Sequence, residues 1–228
     1  MFEKDYILSK VDHTLLAPTA SWEDIRKIID EAISAKTASV CIPPCYVGAA
    51  VGYAAARIPI CTVIGFPNGN MTTEAKCHEA SDAIENGAKE LDMVINIGQL
   101  KSGNIEYVYD EIRKLAILCH ELRPDHKRVT LKVIIESCLL TAEEIETMTK
   151  ICAQADADYI KTSTGFSTAG ATPEVVSIMA NTIKENNLNL KIKAAGGIST
   201  REDAENFLSL GADRLGTSRL IKLLNEEG

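Results

Sequence analysis

Short apolar runs rich in valine and isoleucine alternate with longer amphipathic segments along nearly the whole chain. The runs that read as strands are 9–12 (SKVD), 39–42 (SVCI), 60–65 (ICTVIG), 90–97 (ELDMVINI), 130–136 (TLKVIIE), 157–161 (ADYIK), 190–194 (LKIKA) and 212–216 (ADRLG). Between them the amphipathic segments predict helices over 21–36, 72–86, 104–122, 141–154, 173–186 and 200–209, with a last one over 217–226. Local signals agree with several of these starts. Ser21 precedes WEDI, Thr141 precedes AEEI with Glu144 in the capping-box position, and Thr172-Pro173-Glu174 puts proline at the first helical position. Glycines follow helices in ENGAKELD and LSLGADRL, where a left-handed cap is wanted.

Strand–helix alternation implies a parallel sheet with right-handed crossovers. Eight strands in 228 residues, at about 28 residues per unit, is the arithmetic of an α/β fold of the (β/α)8 TIM-barrel type, one domain over 1–228. The rival is a doubly wound open sheet, but no Gly-x-Gly-x-x-Gly follows the first strand.

Parallel strands are covered on both faces and should be continuously apolar. Five of these carry a charge instead: Asp12, Asp92, Lys132, Lys161 and Lys193. Singly, each has a plain structural explanation, as a cap, an ion pair or a lysine reaching for a barrel end. Together, on strands lining one barrel interior, they must form a compensated polar network, because an unpaired buried charge costs several kcal/mol. In barrels such a network at the strand C-termini is the active site. Lys161 and Lys193 end the sixth and seventh strands and are neighbours around the ring. Two ammonium groups held close repel, so one gives up its proton more readily. A neutral lysine is the nucleophile that forms an imine with a carbonyl carbon. Asp92 is placed to carry protons and to keep the second lysine charged. AAGGI (194–198) and LGTS (215–218) follow the seventh and eighth strands, the loops that barrels favour for phosphate.

Composition narrows the partners. Apolar residues make up 46% and charged residues 25%, an ordinary globular balance. The net charge of −8 argues against nucleic acid or an anionic membrane as main partner, though a local pocket can still take a small anion. The start, MFEKDYILSK, has no apolar signal core, and no run is long enough to span a bilayer, so a cytoplasmic protein is expected. Seven cysteines (41, 45, 61, 77, 119, 138, 152) form no Cys-x-x-Cys pair, and the four histidines (13, 78, 120, 126) show no ligand spacing. No metal site and no cofactor are expected.

The motifs that carry these residues have a family likeness. VDHTLL (11–16), SVCIPPCYV (39–47), TVIGFPNG (62–69), ELDMVINIGQLKSG (90–103), LKVIIE (131–136), IKTSTGF (160–166) and KAAGGI (193–198) span nearly the whole chain. In them the sequence resembles the deoxyribose-phosphate aldolase family, the imine-forming class I enzymes of deoxynucleoside breakdown. The resemblance implies that Lys161 forms the imine, Lys193 depresses its pKa and Asp92 assists proton transfer. It implies that Asp12 and Thr14 contact substrate hydroxyls, and that Gly165, Gly196, Gly197, Gly216 and Ser218 hold the phosphate. Partners would be phosphosugar and aldehyde substrates, and a homo-oligomer, dimer or tetramer, is expected.

Three departures stand out. Ala17 replaces a lysine of many relatives, and Arg219 stands where a small residue is common. No tyrosine follows Tyr159, whereas some relatives have a C-terminal tyrosine that reaches the site. Proton relay then falls to Lys193, Asp92 and water. Two alternatives are another imine-forming sugar-phosphate aldolase that takes a ketone donor, and a non-catalytic phosphosugar-binding barrel. The second would be favoured by the absence of a lysine at 161 or 193, and both are present.

Overall fold

The computed structural model describes residues 2–121 and 128–226, so His126 and the last residue of the 104–122 segment lie outside the described residues. Eight strands form a closed barrel in chain order: β1 (Val11–Thr14), β2 (Ser39–Ile42), β3 (Ile60–Ile64), β4 (Glu90–Val94), β5 (Thr130–Ile134), β6 (Tyr159–Lys161), β7 (Lys191–Ala195) and β8 (Arg214–Thr217). Every neighbouring pair is parallel, and β1 closes on β8. The helices are α1 (Lys4–Leu8), α2 (Trp22–Ala35), α3 (Val47–Ala54), α4 (Thr73–Glu85), α5 (Ile97–Lys101), α6 (Ile105–His120), α7 (Ala142–Gln154), α8 (Pro173–Glu185), α9 (Arg201–Ser209) and α10 (Leu220–Glu226). The expected barrel is therefore present.

The starts are set by side chains that satisfy the first free backbone N–H groups. Ser21, Thr141 and Thr200 form reciprocal capping boxes with Asp24, Glu144 and Asp203. Thr172 caps α8 with Pro173 at its first position. Gly87 and Gly211 lie at positive φ after α4 and α9, as their sequence positions suggest.

Several boundaries differ from expectation: β6 and β8 run 159–161 and 214–217 rather than 157–161 and 212–216, the last helix begins at Leu220 rather than 217, and α1 was not expected. The first strand runs 11–14 rather than 9–12. The 90–97 run divides, because the Asn96 side chain accepts from Gln99 N–H and starts α5 where continuous apolarity reads as strand. Helix α3 was not expected at all: VGAAVGYA contains no charged residue and so no polar stripe, although Val47, Ala50 and Ala54 do share a buried face.

The pleat divides two environments. Leu91, Met93, Leu131, Val133, Ile160 and Ile192 point outward and are buried under the helices in the main apolar core. Their neighbours Asp92, Lys132, Lys161 and Lys193 point inward. The barrel interior keeps only a small apolar cluster of Cys41, Cys61 and Val63, touched by Leu16 and Phe66. Above β3 and β4 the rim is pinned by a fully buried pair. Lys76 of α4 donates to Glu111 of α6 and to the Val94 carbonyl, both at 2.8 Å, and Glu111 accepts from Asn96 N–H.

Candidate active site

Register decides which charges meet. Asp92 is paired in the ladder with Lys132, Lys161 with Lys193, and Lys193 with Arg214. Three successive strands thus put cations side by side inside the barrel, facing the carboxylates of β1 and β4. Asp92 is the shared acceptor. Its Oδ2 takes hydrogen bonds from Lys161 Nζ at 2.7 Å and Lys193 Nζ at 2.6 Å, and its Oδ1 takes one from Lys132 Nζ at 2.7 Å. The Cys61 thiol adds a weaker one to Oδ1 at 3.3 Å.

Beneath this layer lies a second. Asp12 Oδ2 is 2.5 Å from Lys193 Nζ, while its Oδ1 accepts from Arg214 and from Ser39. Lys132 Nζ is 2.6 Å from Glu90 Oε2, and Arg214 Nη1 lies 3.3 Å from both Glu90 oxygens. All seven charged groups are buried or nearly so; Arg214 is the most open, at 14% side-chain exposure.

Burial alone would push these carboxylates up and these lysines down. The reverse holds at the interior pairs. Three ammonium groups overcome burial and hold Asp92 well below the usual carboxylate range, and Lys193, Lys132 and Arg214 do the same for Asp12. Burial opposes the charge on Lys193, but Asp12 and Asp92 outweigh it and raise the group; Lys132 is raised against burial by the carboxylates of Asp92, Glu90 and Asp12. Burial, with the bond to Cys41, pushes the Cys61 thiol well up, so it stays neutral.

A cavity of about 490 Å³ opens above the network. Lys161 is on its wall, at the C-terminal end of β6, with the loops after β1, β6, β7 and β8 around it. Thr14, Gly165, Gly196, Gly197, Gly216 and Ser218 all line it, as does Arg219. Asp92, Lys193 and Asp12 do not; they form the buried layer below. Gly196 and Gly197 lie at φ +82° and +79°, which turns their N–H groups in the way that anion-binding backbone concavities require. A side chain at Gly196 would also stand 2.9 Å from the Gly170 Cα. The Thr-Ser-Thr-Gly turn is locked by Thr162, whose Oγ1 bridges the Ala195 N–H and carbonyl, and by Glu136. The buried Glu136 carboxylate accepts from both the Thr164 hydroxyl and the Thr164 N–H.

Several of these groups were not singled out from sequence. Glu90 and Arg214 lie inside the expected strands, and the signal was present: Glu90 is two residues before Asp92, on the same strand face. Glu136 and Phe166 gave no signal, since one sits at a strand end and the other in a loop. Phe166, half exposed at the mouth, meets Phe66 edge-on at 5.3 Å. Two groups have the composition of metal ligands, Cys41–Cys61–Asp92 and Asp12–Cys61–Glu90. In both, lysine ammonium groups already hold the carboxylates, so a cation there would meet positive charge.

A closed parallel barrel with a lysine at a strand C-terminus and glycine turns facing one cavity defines a barrel enzyme with its site at the C-terminal face. Comparison with known proteins makes the class particular. Residues 6–214 match the model of the DeoC/LacD family aldolases, and the chain belongs to that family. The deoxyribose-phosphate aldolase of Streptococcus pyogenes serotype M4 is 53% identical over 221 residues, 97% of this chain and 95% of its own. That of Streptococcus agalactiae serotype Ia matches to the same degree. Among solved structures, the tetrameric deoxyribose phosphate aldolase from Aeropyrum pernix superposes with a TM-score of 0.88 at 33% identity, covering 99% of this chain and 92% of that one.

Proposed function

We propose that this aldolase reversibly cleaves 2-deoxy-D-ribose 5-phosphate to D-glyceraldehyde 3-phosphate and acetaldehyde, with Lys161 as the imine-forming amine. Charge counting carries the reading. The barrel interior holds four cations, Lys132, Lys161, Lys193 and Arg214, against three carboxylates, Asp12, Glu90 and Asp92. A surplus buried charge is costly, so the network favours losing one proton. Arginine does not lose it. Among the described residues, Lys132 lies within 4 Å of three carboxylates and Lys193 of two, whereas Lys161 has Asp92 alone. Lys161 also reaches the cavity. It is the amine that can be neutral and meet a substrate.

The chemistry then follows from position. Neutral Lys161 adds to the C1 aldehyde of the open-chain sugar, and water leaves to give an iminium. Loss of the C3 hydroxyl proton breaks the C2–C3 bond, and its electron pair passes to the iminium as an enamine. Protonation at C2 and hydrolysis release acetaldehyde and restore the amine. Asp92, whose Oδ2 accepts from Lys161 Nζ at 2.7 Å and from Lys193 Nζ at 2.6 Å, and Lys193 itself are the groups that move protons at the imine nitrogen. Gly165, Gly196, Gly197, Gly216 and Ser218 form the phosphate wall, with Arg219 at its edge, and Thr14 faces the sugar hydroxyls. The reaction supplies its own electron sink and calls for no cofactor. The enzyme works on small molecules in the cytoplasm as a homo-oligomer, an assembly that light scattering can measure.

Donor screening tests the assignment. Acetaldehyde is expected to add to D-glyceraldehyde 3-phosphate, while dihydroxyacetone is expected not to. Use of the ketone with rejection of acetaldehyde would favour the other aldolase reading.

A further inference from the structure

The lower half of the ionic network contains two charges that touch no substrate atom and that no step above uses. Arg214 opens β8 and Glu90 opens β4, at the opposite end of the barrel from the cavity. Arg214 lies under the Tyr159 ring, 5.6 Å from its centroid, and reaches inward to Asp12 and Glu90. From Arg214 an unbroken line of charge contacts leads to the reacting amine: Arg214 to Asp12, Asp12 to Lys193 at 2.5 Å, Lys193 to Asp92 at 2.6 Å, and Asp92 to Lys161 at 2.7 Å. A second line runs from Arg214 through Glu90 to Lys132 at 2.6 Å, and on to the other oxygen of Asp92.

We propose that Arg214 and Glu90 are positioning residues that set, from the far end of the barrel, the pH at which Lys161 becomes a free amine. The inference rests on the reading of Lys161 given above. Its logic is the proton count. With Arg214 present, cations exceed carboxylates by one, and the excess is relieved at Lys161. Replacing Arg214 with a neutral residue leaves three lysines against three carboxylates. The network then balances with Lys161 charged, and the amine must be freed at higher pH. Replacing Glu90 with glutamine does the opposite, leaving four cations against two carboxylates, so the proton leaves Lys161 at lower pH. The interaction is carried through buried groups, where screening by salt and water is weak.

The other titratable groups around Lys161 do not upset the count. From β1, β4, β5 and β7 the facing groups are Asp12, Glu90, Asp92, Lys132 and Lys193, already included. Cys61 of β3 is kept neutral by burial, and the thiol of its neighbour Cys41 of β2, held below its ordinary value by Cys61, is the same in every variant. Glu136, beyond β5 and bonded to Thr164, and Arg219 on the cavity wall lie outside the ion-pair lines from Arg214 and Glu90 and are the same in every variant, so they leave the direction of each shift unchanged.

The test is the pH dependence of kcat/KM for 2-deoxyribose 5-phosphate cleavage in Arg214→Gln, Arg214→Lys and Glu90→Gln, each beside borohydride trapping with acetaldehyde. In Arg214→Gln the acid limb should move up by about one unit or more, a loss of roughly tenfold or more near its foot. In Glu90→Gln it should move down, raising relative activity below neutrality. Arg214→Lys keeps the charge and should keep the limb close to that of the unmodified enzyme. Opposite shifts from two neighbours at one end of the barrel are not what mere loosening of the fold produces. Shifts in the same direction, or lower kcat with an unmoved limb, would overturn the proposal. Should Arg214→Gln fail to fold, Glu90→Gln decides alone, and an unmoved or raised limb overturns it. Trapping keeps the two levels apart: no adduct on Lys161 in the unmodified protein refutes the underlying reading, whereas an adduct there with unmoved limbs refutes this inference only.

Discussion

Lys193 does two things at once inside the barrel: it neutralises Asp12 and Asp92, and it sets a positive charge beside Lys161, its partner in the ladder. Lys193→Leu removes one cation and leaves three against three, so Lys161 is expected to stay charged. Activity near pH 7 should fall at least tenfold for each unit the acid limb rises, and recover in part in alkaline solution. Near-normal activity of this variant at pH 7 would contradict the account. The proposed phosphate wall is tested by a residue on its edge. Ser218→Glu sets a negative charge against the bound phosphate and should weaken phosphorylated substrate selectively, raising KM with little effect on unphosphorylated deoxyribose. Equal losses for both substrates would mean that the loop after β8 does not hold the phosphate. Arg219, which lines the same wall, should act in the same direction, with Arg219→Ser raising KM for the phosphorylated sugar.

At the scale of elements, Gly216 shows how a strand makes room for catalytic side chains. A methyl group there would come within 2.9 Å of Ala195 Cβ and 3.2 Å of Lys193 Cε. Gly216→Ala is expected to cost about 1–3 kcal/mol of stability through overpacking, and to lower kcat further by displacing Lys193. Thermal melts and kinetics separate the two effects. On the opposite face, His120 at the end of α6 bridges Asp156 and Asp158, each at 3.0 Å. Burial opposes its charge, but the hydrogen bonds it donates to the two carboxylates prevail and raise its pKa. A raised folded value means stability fully present below the unfolded value of about 6.5 and lost as pH rises through the folded one. The melting temperature should therefore decline on crossing neutrality, and His120→Gln should flatten that decline; an unchanged slope would show that the bridge carries no proton linkage. Much of this architecture is legible in the sequence. Alternation of apolar runs with capped segments gives the eight units, because helix caps and parallel strands are local in origin. Helix α3 and the start of α5 are not legible, since one has no polar stripe and the other begins inside an apolar run. The lysines and aspartates stand out because strands exclude charge. The contribution of Arg214 and Lys76 depends on register and helix packing, so they read as ordinary strand-end and helix-surface charges until the barrel closes.

For the molecule as a whole, the net charge is −8, while inside the barrel four basic side chains face three acidic ones. The sign of the cavity is therefore set locally, and overall acidity does not prevent use of a phosphosugar. No helix among the described residues is long and apolar enough to cross a membrane. Asp12 and Asp92 are held below the usual carboxylate range. Depressed folded values mean stability present above the unfolded value of about 3.9 and lost only as pH falls through the folded ones. The barrel should thus hold its fold down to about pH 4 and unfold in acid below that. Asp12→Asn, which leaves Lys193 and Arg214 short of a partner, should unfold at higher pH; an unchanged acid midpoint would deny the interior carboxylates that role. The central claim is that, of three interior lysines, Lys161 is the amine that bonds to substrate. Borohydride reduction in the presence of acetaldehyde, followed by mass mapping of the digested chain, tests it most directly. One ethyl group on Lys161, absent from Lys161→Ala, is the result expected; an adduct on Lys193 or Lys132, or none with activity intact, would contradict it.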